Sequence, residues 1–388
     1  MTVHPARTPA LSVARRVLRP LLVAMVLLVP LGFVSIGLWQ ATDDDLEFTT
    51  AERHGVIYLR PLTRLITVLG ENHAIAVTGT KPEPKRLDEA IAAVSAADAT
   101  VGKVLHTQGT WAELRASLSD LKAEQPVGRA AYRPYSEALD AALFLVGRVG
   151  DSSNLILDPE HAPYYLMDTA MLKLPALAAD SSRMVALVAL RGSERKSNEL
   201  TLSRILVARD RVSSAAAGVQ EGLSKSFGTY ASSALGTDVL RHIDAFRGAV
   251  EDFAPVTPVI TQPLPDTLEK IQLGHAELSA SAAKLSDEVF LSLDQLLAER
   301  QRSLELRKWF VVAAALLGTA LVVALLRWGR SPWRMTTPES TPAGPGDGAP
   351  DVPLTTPEWA AAPPPAAISQ SGSRHRRAKD REAIRALR

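Results

Sequence analysis

Two short segments concentrate the polar chemistry of this chain. One reads Tyr58-Leu59-Arg60-Pro61-Leu62. The other begins Asp151-Ser152-Ser153-Asn154-Leu155-Ile156-Leu157-Asp158-Pro159 and continues through Glu160, His161, Ala162 and Pro163 to Tyr164-Tyr165-Leu166-Met167-Asp168. Ala and Leu dominate the sequence around them. A guanidinium, carboxylates and phenols among apolar neighbours must be paired, because a buried polar group without a partner costs several kcal/mol. Two arrangements meet that demand. Arg60 can pair with Asp158 or Asp168 and lock helix register, with Tyr164 and Tyr165 closing the packing. Alternatively a small pocket opens between helices, where Arg60 binds an anion and Asn154 and the tyrosines hold a polar ligand. The candidate ligand-binding set is Arg60, Asn154, Asp158, Tyr164, Tyr165 and Asp168. Both arrangements require Arg60 to meet the 154–168 segment in space.

Catalytic chemistry has little footing. No HExxH, Gly-rich phosphate loop or GxSxG occurs. The chain has no cysteine, which excludes disulfides, thiolate metal sites and Cys nucleophiles. Asp158, Glu160 and His161 share one turn without the further ligand pattern that a metal site needs. The expectation is a protein that is not an enzyme and has no metal and no cofactor. A net charge of +1 supplies no global field for nucleic acid.

The elements that must position these groups are helical. Aromatics are 5% of the chain, and the Ala and Leu bias suits helices better than β-sandwiches. Two apolar runs without charge, residues 20–42 and 309–326, each match the ~20 residues a helix needs to cross a bilayer core. The expected layout is a cytoplasmic N-terminus (1–17), a transmembrane helix (18–39), an extracytoplasmic helical domain (40–308), a second transmembrane helix (309–328) and a cytoplasmic tail (329–388). Arg7, Arg15, Arg16 and Arg19 precede the first run, and Asp43, Asp44, Asp45 and Glu47 follow it. Arg327, Arg330 and Arg334 follow the second run, so both termini are expected in the cytoplasm. A cleaved signal peptide is the alternative for the first run, but Leu38-Trp39-Gln40-Ala41 offers no small-x-small cleavage site.

Between the runs the pattern reads as helix after helix, with essentially no strand and at least six helices. The first continues from the membrane to about Val77, with a kink or local break at Pro61. A second covers about 85–124, interrupted near Gly109 and restarted by a Thr110–Glu113 capping box. A third covers about 134–157 and a fourth about 164–190, bent at Pro175. In the fourth, Met167, Ala170, Leu174, Leu177, Ser181, Met184 and Val188 make a seam at three- and four-residue steps. A fifth runs to about Ser233 and a sixth over about 237–253. Beyond a Pro-rich stretch, Asp266 and Glu269 begin a helix striped by Leu278, Ala282, Leu285, Val289, Leu293 and Leu296. No turn signal separates that stripe from Trp309, so stripe and membrane span form one rigid rod able to carry a displacement across the bilayer. Residues 335–373 lack a hydrophobic period and are expected to be disordered. Arg374, Arg376, Arg377, Lys379, Arg381, Arg385 and Arg388 end the chain as a basic cluster. It is either a solvated end or an attraction to the anionic inner leaflet.

Residues 52–77, with Tyr58-Leu59-Arg60-Pro61-Leu62, and the run Ser153-Asn154-Leu155-Ile156-Leu157-Asp158-Pro159 with Tyr164-Tyr165-Leu166-Met167-Asp168 and Leu174-Pro175 carry a family resemblance. They resemble the periplasmic sensor region of certain bacterial methyl-accepting chemotaxis receptors and sensor kinases. The resemblance extends over roughly residues 10–328, more loosely outside the two segments. It implies an all-α input domain in the cell membrane: an antiparallel helical bundle, either one long or two stacked four-helix bundles, flanked by two transmembrane helices and organised as a homodimer. Such receptors continue into a HAMP linker and a signalling hairpin, a kinase or a cyclase, and residues 330–388 hold none of these. Arg- and Ala-rich usage with few Lys points to a high-GC bacterium. The expected role is therefore a membrane-anchored, sensor-like protein that binds a small molecule or partner outside the cell and acts through a separate signalling protein. The alternatives are a scaffold that binds a protein or envelope component, and a receptor remnant without activity.

Overall fold

The computed structural model describes residues 10–155, 161–193, 199–229, 237–253 and 264–328. The described elements are α1 (Ala10–Ala76), α2 (Pro84–Val101), α3 (Gln108–Glu124), α4 (Arg129–Ser152), α5 (His161–Asp168), a π-helical turn (Thr169–Lys173), α6 (Leu174–Ser193), α7 (Glu199–Thr229), α8 (Thr237–Phe253) and α9 (Leu264–Trp328). The fold is all-helical, with no strand among the described residues. Residues 158–160 of the turn expected over 158–163, most of the Pro-rich stretch expected over 255–265, the 335–373 tail and the basic cluster lie outside the described residues, whereas His161 to Pro163 already belong to α5.

Helix α1 is the axle. Tyr58, Leu59, Leu62, Leu65, Ile66 and Leu69 are fully buried at three- and four-residue steps, and α2, α4, α6 and α9 all pack on it. The seam read in the fourth helix is buried at every position from Met167 to Val188, and the α9 stripe is buried from Leu278 to Leu293. Such a stripe of two or three apolar residues per turn drives helix packing by removing area from water.

Three local expectations are corrected, and a fourth, at Pro175, takes a specific form. Pro61 does not break α1, which stays one helix of 67 residues. Its lost hydrogen bond is outweighed by the buried contacts on either side. The capping box at Thr110 does not form. The helix restarts at Gln108 with Thr107 at its N-cap, and no side-chain cap is made, because the Thr107 hydroxyl is engaged with Asp98 instead. Pro175 is accommodated through a π-turn immediately before it, where the Leu174 N–H donates to the Thr169 carbonyl five residues back. The wider turn relieves the clash that a proline ring makes with the preceding turn. Finally, α9 starts at Leu264, ahead of the expected Asp266 cap.

Small residues set the closest approaches. A side chain at Gly55 would meet Ser153 Oγ, with Leu155 Cδ1 at 2.5 Å. One at Gly70 would meet the Ala178 carbonyl at 3.0 Å. Helix α1 thus touches the end of α4 at one level and α6 at another.

Two helices, α1 and α9, are long and apolar enough to span a membrane. At 67 and 65 residues each is roughly 100 Å long. None of the most apolar stretch of α1 is buried and only 6% of that of α9, so neither stretch is the core of a soluble domain. Phe33 and Trp309 stand 80% and 73% exposed. The stretches nevertheless touch each other: a Cβ at Gly318 would lie 2.6 Å from Leu31 Cδ2. Where they end, Lys308 Nζ pairs with Asp43 and sits 4.3 Å from the centre of the Trp39 ring.

Gly55→Val is expected to destabilise the detergent-solubilised chain by roughly 1–3 kcal/mol through overpacking. At Gly147 of α4 a Cβ meets open space, so Gly147→Ala is expected to be neutral or to stabilise by about 0.5–1 kcal/mol. Denaturant unfolding of both variants checks this; equal effects would contradict the Gly55 contact.

Candidate functional site

Helix α1 meets the 151–168 segment ahead of the Tyr58–Leu62 motif, and not through Arg60. The contact is Gly55 against Ser153 and Leu155, and the α4 end is shaped for it. Ser153 is buried with its hydroxyl donating to the Gly150 carbonyl at 3.4 Å. Asn154 takes a left-handed φ of 59°, a conformation Asn tolerates better than most residues. Asn154 therefore turns the chain. Tyr164 and Tyr165 stack edge-to-face at 5.5 Å, and Lys225 of α7 lies 5.0 Å above the Tyr165 ring. Asp168 is half-buried at the end of α5, and Asp158 lies outside the described residues.

Arg60 has a different partner from either expected one. Its side chain is 52% exposed and donates from Nε to Asp287 Oδ1 of α9 at 3.5 Å. The expected register lock with Asp168 is not formed because Arg60 projects from the face of α1 between α2 and α9. The motif residue that does act as an internal anchor is Tyr58. Its hydroxyl donates to Asp98 Oδ1 at 3.0 Å, and Thr107 Oγ1 donates to the same oxygen at 2.9 Å. Burial pushes the Tyr58 phenol well up from its ordinary value, and the Asp98 carboxylate adds to the shift. Gly102 is required beside this network, since a Cβ there would meet the Asp98 side chain. The network ties α1 to the α2–α3 corner.

Arg60 belongs to a groove of about 410 Å³ between α1, α2 and α9. Along α1 it is lined by Arg60, Thr63, Arg64, Thr67 and Glu71, a polar face at helical spacing. Arg86 and Glu89 come from α2, and Ser286 and Asp287 from α9. Arg64 Nη2 reaches Asp287 Oδ2 at 3.3 Å, and Arg86 Nη1 reaches Glu71 Oε2 at 2.5 Å. Ala90, Ala93, Ala280 and Ala283 keep the walls low. Such a groove can bind by ion pairing and hydrogen bonding. Among the described residues no three His, Asp or Glu are placed to hold a metal ion.

A second cleft, of about 340 Å³, lies between α4, α6 and α7. Arg183 dominates it, but its guanidinium is already held by Asp140 at 2.5 Å and Asp180 at 3.2 Å. Behind it two imidazoles are buried in the core. His73 lies parallel to Tyr135 at 5.7 Å and 3.4 Å from Ser182 Oγ, and His275 lies 3.4 Å from Ser279 Oγ. Burial lowers both from 6.5, His73 to about 3 and His275 to about 4; the Arg183 charge also acts on His73.

Compared with known proteins, the chain matches no protein-family model, no curated protein and no solved structure.

Arg60→Ala is expected to cost about 1 kcal/mol or less, as an exposed ion pair does. Tyr58→Phe leaves a buried carboxylate one donor short and is expected to cost about 1–3 kcal/mol. Paired denaturant melts test the ranking, and the reverse order would contradict these environments. The histidines set a pH dependence. Their folded values lie below the ordinary 6.5, so the unfolded chain binds more protons between about pH 4 and 6.5. Stability is expected to be full above pH 6.5 and to fall as pH drops through that window, by up to about 1.4 kcal/mol per pH unit for each histidine. His275→Phe should reduce the slope; the same slope in the variant would contradict this origin.

Proposed function

We propose that this chain is a two-span membrane protein of the sensor type. Helices α1 and α9 cross the inner membrane of a bacterial cell, both termini lie in the cytoplasm, and the helical region between the spans lies outside. That region takes a small ligand in the groove at Arg60, and the displacement passes along the two helices to a cytoplasmic signalling protein. The active unit is a homodimer.

The observation that carries this reading is the continuity of α1 and α9. Each is a single helix from its unburied apolar stretch to the wall of the same groove. A molecule bound between Arg64 and Asp287 touches both helices at once. Rigid helices transmit a shift or rotation without a hinge, whereas a break at the membrane surface would absorb it. The charge asymmetry about the first apolar run supports the orientation. The resemblance of both motifs to receptor sensor regions supports the role.

Because the chain has no cysteine, single thiols report topology cleanly. In intact cells Ser119→Cys, on the exposed face of α3, is expected to react with an impermeant maleimide. Ser373→Cys is expected to react only after permeabilisation. Labelling in the opposite sense would overturn the orientation, and labelling of both in intact cells would overturn the two-span layout.

A further inference from the structure

The charges of the α1–α2–α9 groove are unevenly spread along it. At one end Arg60 and Arg64 share a single carboxylate, Asp287, at 3.5 and 3.3 Å. That end carries a surplus positive charge. At the other end Arg86 is committed to Glu71 at 2.5 Å. Glu89 lines the groove beside them and is exposed, with no ion-pair partner among the described residues. That end carries a surplus negative charge.

The spacing follows from helix geometry. Helix α2 runs back along α1, since Glu71 meets Arg86 while Tyr58 meets Asp98. Glu89, three residues after Arg86, therefore lies about level with Val68. The helical rise then places the Arg64 and Arg60 levels roughly 6 and 12 Å away along the groove. Between the two ends lie hydroxyls of Thr63 and Thr67 and small alanine walls, which leave room for a chain of a few atoms.

We propose that this groove binds an extended zwitterion, with its carboxylate at Arg60 and Arg64 and its amine at Glu89. The chemical class is an ω-amino acid or a short peptide. The assignment rests on the reading of this helical region as ligand-binding. A simple anion satisfies only the arginine end. An α-amino acid has its two charges too close together to reach both surpluses. Groove-to-groove pairing of two copies in the same membrane is opposed by charge. A two-fold axis along the membrane normal sets like ends against like ends, which repel. The volume of about 410 Å³ lies in the range of small-molecule sites.

Isothermal titration of the full chain in nanodiscs tests the proposal. The probes are 4-aminobutanoate, 6-aminohexanoate, 8-aminooctanoate and triglycine, with hexanoate, hexylamine and glycine as references. At least one long zwitterion is expected to bind ~10-fold or more tightly than all three references, the scale of an added charge-assisted contact. Triglycine against the aminoalkanoates separates the peptide source from the ω-amino acid source. Glu89→Gln is expected to erase the preference over hexanoate, and Arg60→Gln with Arg64→Gln the preference over hexylamine. If these variants fail to fold, the parent chain decides alone. Its affinity must peak within the length series at a charge separation of roughly 6–12 Å. No preference over the references, or no peak with length, overturns the proposal. Binding that leaves the packing of Leu31 against Gly318 unchanged would keep the ligand class and remove the sensing role instead.

Discussion

The pairing of α1 with α9 is the constraint on which the rest depends. Each helix meets two environments within one unbroken element. Along its apolar stretch side chains such as Phe33 and Phe310 face outward. Further along, the same helix turns a buried stripe inward, Leu59 to Leu69 in α1 and Leu278 to Leu293 in α9. The change occurs at a polar clamp, where Lys308 pairs with Asp43 above Trp39. Arg53 of α1 reinforces the pair one level on, donating to Asp294 at 3.3 Å and to Gln301 at 2.7 Å. The remaining helices add layers to this pair. Helices α2, α4 and α6 pack on α1, and α8 packs on α9.

The polar residues of the motifs divide among different tasks. Tyr58 is internal and fixes α1 to the α2–α3 corner through Asp98. Arg60, two residues on, points to the groove. Asn154 supplies backbone geometry at the end of α4. Tyr165 faces α7, where Gly222 lets the helices approach until a Cβ would lie 3.3 Å from the Tyr165 carbonyl. A motif dense in functional groups thus serves chiefly to seat helices. The polar face of α1 that lines the groove only partly overlaps it.

Much of the fold was legible in residue spacing. The seam from Met167 to Val188 and the stripe from Leu278 to Leu293 are buried as their period requires, and α9 runs uninterrupted past Trp309. Local signals misled where tertiary contacts outbid them. Thr110 and Glu113 have capping chemistry, but Thr107 is drawn to Asp98 and the helix begins earlier. Pro61 does not interrupt α1, where buried residues flank it on both sides. For the site, Arg60, Thr63, Arg64, Thr67 and Glu71 recur at helical spacing, although only Arg60 was singled out from the sequence. Their partners Glu89 and Asp287 were not legible, because they come from other helices whose register no local pattern fixes. His73 and His275 read as scattered histidines, and only their burial gives them a role.

Cross-linking of the two apolar stretches in native membranes tests the central claim most directly. Leu31→Cys with Gly318→Cys places thiols where the helices touch, and the lost leucine side chain makes room for the new Cβ. On an α-helix, position 316 lies nearly half a turn from 318, and Leu316 is 66% exposed. Paired continuous helices predict rapid disulfide formation within one chain between positions 31 and 318, and little when Leu316→Cys replaces Gly318→Cys. Equal cross-linking of both pairs, or none, would contradict the account.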